Sequence, residues 1–317
     1  MALDLITAPP PGGASPALEI DADIASSFTY ASYQNAIPML RSVAIVCSGT
    51  GIVQNCTLDL ASTPPFLRPK RWTIDRLVAG DTVPLVDRKV ELDAQYLAGL
   101  NEAERGEISL SLSVGDTLRV EKRIPVRLLA RDEWGGVTDM AQLLPAFVMP
   151  NDPAVAAILR SAADRLAEHG HASGLDGYQS GSPQRAFLLA AAIYSAIAGL
   201  AIHYAEPPAS FEERGQKVRR PATIAGDRLG TCLDTGLLFA AALEAVGLHP
   251  VVFLFRGHAA AGVWLAGRTH CPAALPAGAL HYARAPRPGL LPQTTTTVQI
   301  DGPPVFPPVG TRASAPH

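Results

Sequence analysis

The sequence predicts an α+β chain in two parts, a β-rich N-terminal half and a mixed helical portion after it, and three observations carry that prediction. Short runs from Ile24 to about Arg131 alternate apolar and polar residues, as half-buried strands require. After Pro153 the apolar residues recur at helical spacing instead. Between the two patterns, EWGG and FVMPNDP interrupt the chain over Asp132 to Pro153. A length of 317 residues also exceeds what one hydrophobic core organises, so two domains are expected.

The elements follow in order. Residues 1–20 are rich in Pro, Gly and Ala and read as a flexible leader. Then come the strand-like runs SFTYASY, MLRSVAIVC, VQNCTLDLA, RWTIDRL, RKVELDA, GEISLSLSV and TLRVEKRIPVRLLA, separated by turn material such as SGTG, AGD and VGD. Around seven short strands with no helical period between most of them suggest an immunoglobulin-like β-sandwich over residues 21–135. No isolated functional site is visible in it.

The second part is expected over residues 136–268. Asp152 caps a helix with Pro153 at its first position and Val155, Ile158, Leu159, Ala162 and Leu166 on one face. A second helix runs from Pro183 to Gly199. Its uncharged stretch, Ala186 to Ile202, reaches the lower length limit of a membrane span. The Ser182-Pro183 start, the many alanines, and Tyr194 with Ser195 inside it favour a buried core helix, so no membrane is expected. A charged loop, PPASFEERGQKVRRPATIAGDRLG, leads to a third helix. Thr231 caps it, Leu233, Leu237, Leu238, Ala241 and Ala245 form its buried stripe, and Gly247 ends it. Pro250 to Phe255 reads as a central strand, and a second strand from Ala259 to Leu265 follows the Arg256-Gly257 turn. Residues 269–317, dense in Pro, Ala, Gly and Thr, are expected to form a disordered tail.

Composition narrows the function classes. With 48% hydrophobic and 17% charged residues the chain is globular, and a net charge of -3 lacks the basic footprint that neutralises nucleic-acid phosphates. No GxxxxGK[ST] phosphate loop occurs, which excludes an ATPase. Cys47, Cys56, Cys232 and Cys271 form no close CxxC pair, and no signal-peptide pattern opens the chain. The expectation is a cytoplasmic, thiol-reduced protein. A zinc site from Cys232, His258, His270 and Cys271 is disfavoured, because the adjacent pair His270 and Cys271 points to opposite faces of an extended chain. No metal and no cofactor is expected.

Cys232 and His258 are the candidate catalytic pair. A cysteine in the first turn of a helix is placed where unpaired N–H groups and the helix dipole favour the thiolate and can hold an oxyanion. His258 follows after a helix of about four turns and a strand of about six residues, a path that returns it to the helix start. The alternative is that Cys232 is an inert buried hydrophobe. Gln179 is a candidate oxyanion donor, although a loop Gln more often bonds backbone. Asp234 reads as capping the helix. Tyr178 reads as a packing residue with its hydroxyl at the surface and Trp264 as core. His203 and His249 read as satisfying local backbone groups.

The stretch GTCLDTGLLFAAALEAVGLHPVVFLFRGHAAAGVW, Gly230 to Trp264, resembles the core of transglutaminase-like cysteine proteins. With DEWGG, FVMPNDP, LDGYQSG and PPASFEERGQKVR, the chain from Ile24 to Leu265 is similar to the front region of large bacterial defence proteins that carry a superfamily-one helicase and a nuclease-like end. The resemblance implies a transglutaminase-like α+β domain, attack by Cys232 on an amide of a protein or peptide, His258 as base, and a helicase or nuclease partner domain. It also implies a truncation or fragment of a longer protein. The third, orienting residue of such a triad would fall after Leu265, where Asp301 is the only acidic residue. That gap leaves a second expectation open, a catalytically inactive interaction or regulatory module.

Overall fold

The computed structural model describes residues 16–267, 280–283 and 296–299. It is a mixed α+β chain that divides into two compact units, Met1–Glu133 and Trp134–His317. The first contains strands β1 (Ala17–Ile24), β2 (Ser27–Phe28), β3 (Leu40–Ser48), β4 (Ile52–Thr63), β5 (Lys70–Val78), β6 (Thr82–Pro84), β7 (Glu104–Val114) and β8 (Thr117–Leu128), with short helices α1 (Tyr30–Gln34) and α2 (Ala94–Gly99).

Alternation decides which side chains these strands bury. Val43, Ile45 and Cys47 of β3, Leu58 and Leu60 of β4, and Ile108, Leu110 and Leu112 of β7 enter one shared hydrophobic core, together with Ile20 of β1 and Trp72, Ile74 and Leu77 of β5. The strands form a three-stranded sheet, β1-β3-β6, and a five-stranded sheet, β2-β8-β7-β4-β5. Leu60 stands opposite Leu110 and Leu58 opposite Leu112, so cross-strand leucine pairs lock the register. Each fully buried leucine contributes roughly 1.5–3 kcal/mol. In β4 the alternation is broken once. Gln54 pairs with Arg76 and Cys56 with Ile74, while Asn55, at φ 56°, and the facing Asp75 drop out of the pairing with no shift of register, and both strands bury Cys56 and Ile74 again beyond that point.

Three local expectations are corrected. Residues 17–20, assigned by composition to the leader, belong to β1, because Leu18 and Ile20 pair with Cys47 and Ile45 of β3. The run SFTYASY gives only the two residues of β2 before turning into α1, where Ser32 Oγ accepts the Thr29 N–H at 3.3 Å. The run RKVELDA is not a strand either. Leu92 makes an isolated bridge with Leu67, and the Asp93 carboxylate accepts the Tyr96 N–H at 2.7 Å to start α2.

Chain order continues with β9 (Glu133–Trp134), α3 (Gly136–Met140), a 3-10 helix (Ala141–Phe147), α4 (Pro153–Glu168), α5 (Pro183–Ala198), β10 (His203–Tyr204), α6 (Phe211–Arg214), β11 (Gln216–Lys217), α7 (Pro221–Asp227), β12 (Leu229–Gly230) and α8 (Cys232–Ala245). Strands β13 (Pro250–Phe255), β14 (His258–Val263), β15 (Leu280–Ala283) and β16 (Thr296–Gln299) form a sheet of order β14-β13-β16-β15. Helices α4 and α5 start on Asp152 and Ser182, whose side chains accept the N–H of Ala154 and Arg185, each with Pro at the first helical position. Helix α8 packs against α4, α5, β13 and β14. It is therefore buried on nearly every side through Cys232 to Leu243, and the expected stripe ends early because Ala245 is exposed.

The charged loop over 207–230 contains the short helices α6 and α7. It is pinned at Gly215, whose φ is 83° and whose missing Cβ would lie 1.7 Å from the Trp134 carbonyl oxygen. Most of the tail over 269–317 lies outside the described residues. Its TTTTVQI run nonetheless supplies β16, parallel to β13, as its β-branched composition allows. Among the described residues no helix is long and apolar enough to cross a membrane.

Candidate functional site

The start of α8 is fixed by a network that extends beyond an ordinary cap. Thr231 is extended, at φ -80° and ψ 174°. Its Oγ1 accepts the Asp234 N–H at 3.2 Å, and Asp234 Oδ2 accepts the Thr231 N–H at 2.9 Å, which closes a capping box. Gln216 Nε2 donates to the same Thr231 oxygen at 2.9 Å. Asp234, with 0% of its surface exposed, also accepts from the Arg219 N–H and from Arg219 Nη1, both at 2.8 Å. The short loop from β11 is thus tied to the first turn of α8. Buried Glu212 and Gln216 each keep one oxygen, Oε2 and Oε1, without a hydrogen-bond partner among the described residues.

Cys232 occupies the first helical position and is only 5% exposed. Its sulfur lies beside the N–H of Ala259, the hydroxyl of Tyr204 and the N–H groups that open α8. All of these favour the thiolate. Burial outweighs them and pushes the Cys232 thiol above its ordinary value. The sequence expectation of a lowered thiol is thereby reversed: the helix start is present, and the desolvation around it is larger. Tyr204 is pushed up as well, by its own desolvation first and then by the neighbouring sulfur.

His258 opens β14, opposite Phe255 across the tight turn, and its ring stacks on that of Phe255 at 6.5 Å between centroids. The amide that touches the Cys232 sulfur belongs to Ala259, the next residue. The hairpin therefore delivers the His258–Ala259 peptide to the head of α8.

Gln179 is elsewhere. It is exposed, and its N–H donates to the Asp176 carbonyl at 2.9 Å in a turn. The neighbouring Tyr178 hydroxyl donates to the Trp264 carbonyl and accepts the His249 N–H at 3.2 Å, so it is not at the surface as expected. Those partners flank the Pro250–Val263 end of the hairpin, and Phe255–His258 is its other end, about 17 Å away at about 3.4 Å per residue. Gln179 is not brought to the thiol. His249 also departs from expectation: its ring lies edge-on to Tyr178 at 5.1 Å, and its Nδ1 has no hydrogen-bond partner among the described residues. Trp264 is half-buried. Asp301, His270 and Cys271 lie outside the described residues. Within the described residues no group of three or more His, Cys, Asp or Glu could hold a metal ion.

Two residues at the head of α8 carried no usable sequence signal, Tyr204 and Gln216. Each comes from a distant loop. Compared with protein-family models, with curated proteins and with solved structures, the chain matches none.

Proposed function

We propose that the second unit is a transglutaminase-like thiol acyl-transfer domain acting on an amide of a protein or peptide, with Cys232 as nucleophile and His258 as base. The observation that carries this reading is the Cys232 sulfur at a helix start, ringed by N–H donors, with His258 one residue from the amide that touches it. The imidazole would accept the thiol proton as sulfur attacks the carbonyl carbon. The carbonyl oxygen becomes an oxyanion held by N–H groups at the α8 start. Collapse expels the amine, which takes the proton back from His258 and leaves a thioester. Water or another amine then attacks the thioester and restores the thiol.

The first unit is read as an immunoglobulin-like sandwich. In its strand order, β1-β3-β6 and β2-β8-β7-β4-β5, the strands other than the two-residue β2 correspond to A-B-E and G-F-C-C′ of that fold. The free thiols Cys47, Cys56 and Cys232 fit a thiol-reduced, cytoplasmic setting. By its resemblance the chain is an accessory region of a helicase-type bacterial defence protein, working beside a helicase or nuclease partner domain.

A second reading, a catalytically silent interaction module, is favoured by one specific observation, the burial and raised thiol of Cys232. Hydroxamate formation from a Gln-containing peptide and hydroxylamine separates the two. Acyl transfer gives product that disappears in both Cys232→Ser and His258→Ala. No product from wild type or from Tyr204→Ala, with no thioester on Cys232 by intact mass, leaves the silent module.

A further inference from the structure

We propose that Tyr204 is the gate of the candidate site, covering the Cys232 sulfur in this conformation and swinging away with its loop to admit substrate. The proposal rests on the reading of Cys232 as nucleophile and adds a residue that touches the reacting atom. Strand β10 is two residues long and runs parallel to β12, with Tyr204 opposite Gly230, just before the Thr231 cap. From there the tyrosine hydroxyl reaches the sulfur.

The two partners differ sharply in exposure. Tyr204 is 56% exposed and Cys232 only 5%. The covering group therefore has solvent on its outer side, and lifting it requires no rearrangement of the core around α8. Its loop is lightly held. The pairing with β12 is flanked by the bonds from His203 N–H to the Arg228 carbonyl at 2.7 Å and from Ala205 N–H to the Gly230 carbonyl at 2.9 Å. Ala201 at φ 50° and Ser210 at φ 57° bound the loop with left-handed residues, and most side chains between them are exposed or half-buried. Segments with few buried contacts are the ones that open first. When the hydroxyl leaves, it frees one face of the sulfur beside N–H donors that stay fixed on α8 and β14. An amide carbonyl can occupy that vacated side.

Iodoacetamide labelling of the full chain at one fixed pH, with the labelled cysteine located by peptide mapping, tests this directly. Tyr204→Ala removes the cover and should label Cys232 at least about 10-fold faster than wild type, while Tyr204→Phe, which keeps the ring, should stay within about 3-fold of wild type. Wild-type labelling in a Tyr204→Ala protein with an unchanged melting curve overturns the gate. So does Tyr204→Phe labelling as fast as Tyr204→Ala, because the hydroxyl bond would then be the control. Should Tyr204→Ala fold poorly, hydrogen exchange on wild type decides. The amides of His203 and Ala205 are expected to exchange at least about 100-fold faster than those of Leu237 to Leu243, and equal rates overturn the proposal. Alkylation needs no acyl transfer. A gated thiol that never forms hydroxamate would sink the catalytic reading and leave the gate standing.

Discussion

Replacing Asp234 should unfasten the head of α8 more severely than replacing any other single polar residue there. Asp234 has no exposed surface and accepts the Thr231 N–H, the Arg219 N–H and Arg219 Nη1 at 2.8 to 2.9 Å. In Asp234→Ala the two backbone N–H groups lose their acceptor in a buried place, at about 1–3 kcal/mol each. The Arg219 side chain, already 34% exposed, returns to water at little cost. The cap itself is not counted again, since Thr231 N–H is one of those two groups. The expected loss is about 2–6 kcal/mol, from those two unpaired backbone donors together. Arg219→Ala should cost less, about 1–3 kcal/mol, because the carboxylate keeps both backbone donors and the positive end of the helix. The assay is native-state hydrogen exchange of the α8 amides in the full chain, compared as free energies of opening. A loss below about 1 kcal/mol in Asp234→Ala, or a larger loss in Arg219→Ala than in Asp234→Ala, refutes this account of what anchors the helix.

Two further outcomes follow from geometry. Gly215→Ala places a methyl carbon 1.7 Å from the Trp134 carbonyl oxygen at a φ of 83°, so the loop must move; a loss of at least about 3 kcal/mol is expected in urea unfolding of the second unit, and a near-neutral variant contradicts the close approach. Burial lowers the pKa of His249, against a smaller upward pull from Glu244. The unfolded chain therefore binds the proton first as pH falls, and the stability present above about pH 6.5 is lost progressively towards the lower folded value. Melting temperature measured from pH 8 to pH 5 should fall less steeply in His249→Gln than in wild type; equal slopes would show that His249 is not the titrating group.

The parts of this protein that could be read from the chain are those whose causes are local. Asp152 with Pro153, Ser182 with Pro183, and Thr231 with Asp234 mark helix starts because a cap is a bond between residues two or three apart. The alternation in β3, β4 and β7 sorts core from surface because neighbouring side chains on a strand face opposite ways. The same local rules misjudged SFTYASY and RKVELDA: Ser32 bonds the Thr29 N–H as the first run turns into α1, and Asp93 caps α2 at the end of a second run that is otherwise irregular.

The sequence by itself determined that Cys232 would sit in the first turn of α8 and that His258 would open the returning strand. The state of that thiol was decided only in three dimensions. Helix N–H groups that favour ionisation come from the next few residues, whereas desolvation is summed over every atom packed around the sulfur, whichever segment supplies it. The cover on the thiol, the Gln216 and Arg219 bonds to its helix start, and the removal of Gln179 to the far end of the hairpin all depend on contacts between segments distant in the chain. No periodicity encodes such contacts; they exist only once the chain has closed upon itself.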